Sequence, residues 1–195
     1  MRINRRLYNK AAYLAVGALV AFVSSQVVGE RASRSPVIEG QASVIDGDTL
    51  DIQGTRIRLH GIDAPESGQQ CYRDSEAWRC GKAAAFALDQ YLDGRHLQCW
   101  HKGKSYDRIV AVCQVLESGE DVAYWLALNG WAVAAPMYSQ RYLPAEAKAK
   151  SENAGIWDSK FVVPWIWRKQ QKRAASRVHY FPADLGLSTT KERSM

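Results

Sequence analysis

Residues 11–28 carry not one charge, and no two of the four cysteines stand in a Cys-x-x-Cys pair. The second absence, with intervals of 9, 19 and 14 residues between successive cysteines, argues against a structural zinc site. An even number of cysteines without metal spacing points to disulfides and an oxidising compartment. The first absence marks an 18-residue apolar run behind a basic leader of Arg2, Arg5, Arg6 and Lys10. That length is the lower limit for a membrane-spanning helix, and its most apolar part, residues 11–23, also has the size of a signal-peptide core. Residues 1–34 are expected to be a signal peptide or a transmembrane anchor with its linker, the anchor preferred. Positive-inside orientation then puts the rest of the chain outside the cytoplasm, periplasmic or secreted if the leader is cleaved.

Both ends are poor in acid. Residues 1–34 hold six Lys/Arg against one acid, and residues 168–195 hold seven against two, so each end nets +5. Residues 35–167 hold thirteen against seventeen and net −4. The basic balance of the chain is therefore a property of its ends, and is no argument that the core binds nucleic acid. The acidic middle suits a metal site.

That middle opens on Val44-Ile45-Asp46-Gly47-Asp48-Thr49-Leu50 and continues into Arg58-Leu59-His60-Gly61-Ile62-Asp63-Ala64-Pro65-Glu66. Thr49-Leu50-Asp51-Ile52 and Arg56-Ile57-Arg58-Leu59-His60 alternate as strands do, and Gln53-Gly54-Thr55 between them signals a tight hairpin. Pairing of these strands brings Asp48 near Arg58 and Asp63. Like carboxylates repel, so such a cluster needs a cation, and a hard divalent ion with oxygen ligands is the simplest one. An EF-hand loop is excluded, because Ile57 stands where its bidentate Glu is required. Taken singly, these pieces read as turn residues and a helix start.

Taken in order, they resemble the opening of a staphylococcal-nuclease-like (thermonuclease) domain: an Asp-Gly-Asp-Thr strand, a hairpin, then Arg-Leu-x-Gly-Ile-Asp-x-Pro-Glu. Later landmarks are similar too: Tyr106-Asp107-Arg108, Asn129-Gly130-Trp131-Ala132, Gly155-Ile156-Trp157 and Pro164-Trp165-Ile166-Trp167-Arg168. The resemblance covers residues 38–168 and departs from the family at Asp107, where a glycine is usual, and at Pro136, where a tyrosine is. It implies an α+β, mainly β fold: a five-stranded OB-fold barrel with three helices, here preceded by an N-terminal hydrophobic helix. The domain is taken as residues 35–168, followed by a basic, partly disordered tail, 169–195.

The resemblance further implies a calcium-dependent nuclease cutting DNA and RNA with little sequence preference. Asp48, Asp63, the Ala64 carbonyl and Thr49 would form the Ca²⁺ site, Glu66 would activate water, and Arg58 and Arg108 would clamp the transition state. Tyr106 and Tyr138 fall where the family sets tyrosines against the nucleotide. The expected partners are a nucleic-acid substrate and, through the leader, a membrane; the protein is expected to be a monomer. The competing reading is a non-catalytic OB-fold domain that binds nucleic acid or protein. Trp125, Trp131, Trp157, Trp165 and Trp167 read as core or helix packing.

Elsewhere the residues speak for themselves. Asp74 or Ser75 is expected to cap a helix whose stripe is Ala83, Ala84, Ala87, Leu88, Tyr91 and Leu92, stopped by Gly94. His96 to Trp100 and Arg108 to Val115 read as strands, Asp121 opens a short helix, and Pro144 starts another. A turn near Tyr106 sets Cys99 opposite Cys113, within disulfide reach, and Cys71 and Cys80, nine apart in a loop leading into a helix, are expected to make the second pair.

Overall fold

The computed structural model describes residues 37–178. The expected leader, anchor and hydrophobic N-terminal helix, and the end of the tail, lie outside the described residues. The chain divides between residues 35 and 36, and every described residue belongs to the second unit. Among the described residues no helix is long and apolar enough to cross a membrane.

The elements run β1 (Val37–Gln41), β2 (Ser43–Asp46), β3 (Thr49–Ile52), β4 (Thr55–Leu59), β5 (Ile62–Asp63), β6 (Cys71–Arg73), β7 (Glu76–Trp78), α1 (Cys80–Leu92), β8 (His96–Ser105), β9 (Arg108–Val115), α2 (Val122–Leu128), β10 (Val133–Ala134), α3 (Leu143–Ser151), a 3₁₀ turn (Gly155–Asp158) and α4 (Pro164–Val178). The class is mixed, mainly β. Among the described residues four α-helices stand where three were expected of the domain, because the segment after Pro164 is helical through Val178 and runs across the expected boundary at 168.

The main sheet has six strands in the order β1-β8-β9-β4-β3-β2. The resemblance implied a five-stranded OB-fold barrel; the sheet here has six strands and its ladder is not closed. The first strand breaks at Ala42, and its two halves pair with opposite edges, β1 with β8 and β2 with β3. The hydrogen-bonded ladder therefore stays open between them. Alternation along the strands buries Leu50, Ile52, Ile57, Leu59, Leu97, Ala111 and Val115 against Leu88 and Leu92 of α1 and Leu126 of α2, the apolar burial that drives the fold.

Two helix starts show what decides local structure. Asp121 caps α2, accepting the Tyr124 backbone N–H at 3.0 Å. Asp74 and Ser75 cap nothing. Both take positive φ, 46° and 75°, and form the tight turn of the β6–β7 hairpin, so α1 begins only at Cys80. The Cys71–Cys80 disulfide ties that hairpin to the helix, and Cys99 pairs with Cys113 directly across β8 and β9. No cysteine is free.

Candidate active site

Hairpin register builds the site. The turn at Gln53 and Gly54 (φ 53° and 81°) sets Thr49 opposite Arg58. Parallel pairing of β4 with β9 sets Arg58 beside Val110, two residues beyond Arg108. β5 is held by β10 through Asp63 opposite Val133. Three chain segments thus deliver Asp48, Arg58 and Asp63 to one place.

Arg58 bridges the two aspartates. Its Nη1 donates to Asp48 Oδ1 at 2.7 Å, and its Nη2 donates to Asp63 Oδ1. Asp48 is 3% exposed; it also accepts the Thr49 hydroxyl at 3.1 Å and the Ala64 backbone N–H at 2.9 Å. Burial pushes its carboxyl up to about 7. The Arg58 guanidinium opposes that rise, while the nearby Asp46 and Asp63 carboxylates reinforce it. Asp48 is therefore a costly anion, reluctant to carry its charge alone.

The sequence reading missed Arg168. From the first turns of α4, its Nη1 donates to Asp63 Oδ1 at 3.0 Å and to Glu66 Oε1 at 2.5 Å, and its Nη2 donates to Asp63 Oδ2 at 2.9 Å. Burial works against its positive charge, but the bonds to Asp63 and Glu66 win and raise its pKa above the ordinary arginine value. Two guanidiniums are thus the cations that this carboxylate cluster requires.

The loop carrying Glu66 is fixed from behind. Gln69 is fully buried; its Nε2 donates to the Val162 carbonyl at 2.5 Å and its Oε1 accepts the Glu66 N–H at 3.4 Å. Gly81, at the start of α1, lies so close that a Cβ there would meet the Glu66 carbonyl oxygen at 1.7 Å. The Trp167 ring stands over Gly68, 3.8 Å from where a Cβ would be. Gln69 and Trp167 thereby join the Glu66 loop to the segment that launches α4.

Arg108 is differently placed. Its Nη1 stands 3.5 Å from Thr49 Oγ1, a long contact, and among the described residues no carboxylate pairs with it. Asp107 turns away, 3.9 Å from Arg56 across an exposed gap. The left-handed residue of that turn is Tyr106 (φ 58°), and the Asp-for-Gly departure falls on the residue after it. Tyr106 and Tyr138 are 89% and 73% exposed and stay outside the hydrogen-bonded cluster. His60 lines a cleft with Trp100, Lys102, Arg141 and Tyr142 in which none of the clustered carboxylates takes part. Trp125 stacks on Tyr91 as packing, whereas Trp165, expected as core or helix packing, is 44% exposed on α4.

Chemically, the cluster offers a small set of hard oxygen donors. No group of three or more His, Cys, Asp or Glu gathers to hold a metal among the described residues. Asp48 and Asp63 offer hard oxygen donors of the kind a divalent ion takes, their oxygens here engaged by Arg58, Arg168, Thr49 and the Ala64 N–H, and the cluster lacks the nitrogen and sulfur ligands zinc prefers.

Residues 56–159 match the family described as staphylococcal nuclease homologue. That stretch takes in Arg58, Asp63, Ala64, Glu66, Tyr106, Arg108 and Tyr138; Asp48, Thr49 and Arg168 lie outside it. The chain is 40% identical over 146 residues to the succinoglycan biosynthesis protein ExoI of Rhizobium meliloti, covering 73% of this chain and 74% of that protein. It is 29% identical over 149 residues to a micrococcal nuclease of Shigella flexneri, covering 68% and 81%. It is 27% identical over 135 residues to an uncharacterized endonuclease of Escherichia coli O157:H7, covering 66% and 82%.

Proposed function

We infer the activity from the premise that this chain belongs to the staphylococcal nuclease homologues: it is a hydrolase that cleaves phosphodiester bonds of nucleic acid. The observation that carries the reading is the convergence of Asp48, Asp63, Glu66, Arg58 and Arg168 in one hydrogen-bonded cluster with Arg108 at its edge. A binding-only domain has no need of buried carboxylates locked to arginines, since each buried charge costs stability.

Phosphodiester hydrolysis needs an activated water, neutralisation of charge on the phosphoryl oxygens, and alignment of the leaving group. Asp48 and Asp63, with the Ala64 carbonyl and Thr49 beside them, would hold Ca²⁺. A bound calcium ion supplies charge neutralisation and orients the phosphate. Glu66 accepts a proton from the attacking water, and Arg168 holds its carboxylate in place. Arg58 spends one N–H on each aspartate and keeps three of its five for phosphate oxygens. Arg108, with no carboxylate partner among the described residues, is free to present its planar fork to the charge that grows in the transition state. The exposed Tyr106 and Tyr138 offer faces on which bases stack, a contact that tolerates any sequence. DNA and RNA are both substrates on this account.

The enzyme works as a monomer outside the cytoplasm. The basic leader, the uncharged run of residues 11–28 and the two disulfides support that placement. The test of the activity is direct: the purified chain should degrade single-stranded DNA and RNA with Ca²⁺ and stop when a chelator is added. Tight binding of either polymer with no cleavage under any divalent ion would establish the binding-domain reading instead.

A further inference from the structure

Helix α4 is chemically unlike the other helices. Residues 164–178 contain Arg168, Lys169, Lys172, Arg173 and Arg177 and not one acid. In α3, by contrast, Lys148 pairs with Glu152 and Lys150 with Glu146 at i,i+4, the usual way a solvated helix balances its charge. Among the described residues, Arg168 is the one cation of α4 in an ion pair, and its partners are Asp63 and Glu66.

Helical spacing places Trp165, Lys169, Lys172 and Arg173 on the face that also carries Arg168. These residues, with Ser176, line a shallow cleft of about 400 Å³. Trp165 to Arg173 covers nine residues, about 12 Å of helix from first to last. Near one end of this row, Arg168 is bonded to Asp63 and Glu66 of the carboxylate cluster. We propose that this face of α4 is a binding track for the sugar–phosphate backbone of single-stranded nucleic acid, delivering the strand to the Glu66 and Arg58 cluster.

Charge complementarity selects the ligand. A polyphosphate strand supplies regularly spaced anions for Lys169, Lys172 and Arg173, and Trp165 supplies a stacking surface of the kind such sites use. An anionic membrane is the other polyanion in reach of an anchored protein. A helix seated on a bilayer, however, needs a continuous apolar face; α4 has exposed Trp165 and Ile166 only in its first turn, and residues 168–177 offer only Ala174 and Ala175. The inference rests on the nuclease reading for its purpose, but binding can be measured without cleavage.

The experiment uses the full chain and a K169Q/K172Q/R173Q variant, which keeps good helix formers at three exposed positions. Binding of a labelled single strand of about 20 nucleotides, long enough to cover one OB-fold site, is followed by anisotropy in chelator across a salt series. Removing three cations should weaken binding on the order of tenfold and flatten the slope of log K against log salt by about 2. With Ca²⁺ restored, KM for the long strand should rise by a similar factor while kcat, and cleavage of a dinucleotide, stay unchanged. A charge-reversed K169E/K172E/R173E variant should show the same pattern enlarged. Unchanged affinity and slope in both variants would overturn the proposal. So would loss of binding to phosphatidylglycerol vesicles with strand binding intact, which would make α4 a membrane-surface helix. If the wild-type chain binds but never cleaves, the nuclease reading fails and the anisotropy series still decides the track.

Discussion

Arg168 and Glu66 are 102 residues apart in sequence and joined by a hydrogen bond of 2.5 Å. Helix α4 therefore belongs to the cluster that the proposed mechanism makes catalytic. Replacing Arg168 with alanine leaves Asp63 with Arg58 alone and Glu66 without its guanidinium. Loss of charged hydrogen bonds should cost about 1.5–3 kcal/mol of stability, read from urea unfolding. Turnover should fall with little change in KM for a dinucleotide, because Glu66 loses its orientation and the substrate keeps its clamps. Arg168→Lys, with a point charge that cannot span both carboxylates, should recover only part of the rate.

Gly81 should be a catalytic liability at a distance. Its φ is ordinary, so the obstacle to a side chain there is the Glu66 carbonyl. Gly81→Ala should push the Glu66 loop aside, lowering kcat and costing about 1–3 kcal/mol through overpacking. Gly54 is the control: it sits at φ +81° with nothing within 4 Å, so Gly54→Ala should cost about 1 kcal/mol through backbone strain alone and leave kcat untouched.

Asp48 gives a signed pH dependence. Its folded pKa is raised to about 7, chiefly by burial, against an ordinary value of 3.8. Its contribution to stability is fully present below the unfolded pKa and is lost as pH rises through about 7. In chelator, the stability of Asp48→Asn relative to wild type should therefore increase between pH 5 and pH 8, measured by thermal melting at both. A difference independent of pH would show that the carboxyl is ionised throughout. Calcium binding, which needs the carboxylate, should weaken as pH drops below about 7.

The two disulfides should fail differently. Cys99 and Cys113 stitch the β8–β9 ladder, whereas Cys71–Cys80 closes the loop behind Gln69, whose carbonyl lies 3.6 Å from the Cys80 sulfur. Replacing either pair with alanine should cost about 2–3 kcal/mol. Only the Cys71/Cys80 replacement should also lower kcat in the folded protein, because Gln69 accepts the Glu66 N–H.

Legibility in the sequence tracked distance along the chain. Period-two runs broken by Gln53-Gly54 gave β3 and β4 with their register, and so brought Asp48, Thr49, Arg58 and Asp63 together. Asp121 worked as a cap because its backbone is extended, φ −75° and ψ 116°. Asp74-Ser75 carries similar chemistry but bends into a left-handed turn, a choice made by the β6–β7 pairing and the disulfide beside it. The split of the first strand at Ala42 depends on two edges that meet only in the folded sheet. Arg168 was legible only as the end of the Pro164–Arg168 landmark, and its role was hidden for the same reason, since its partners lie more than a hundred residues upstream. The signal that existed was compositional: fifteen helical residues without an acid.

The central claim is that Glu66 and Arg108 act on the reacting phosphate. It is tested by single-turnover cleavage of a short single strand at saturating Ca²⁺, with Glu66→Gln and Arg108→Ala matched to wild type by circular dichroism. Each variant should bind the strand and lose on the order of 10²–10³ in rate, the scale of removing one group aimed at transition-state charge. Wild-type rates in both would contradict the mechanism.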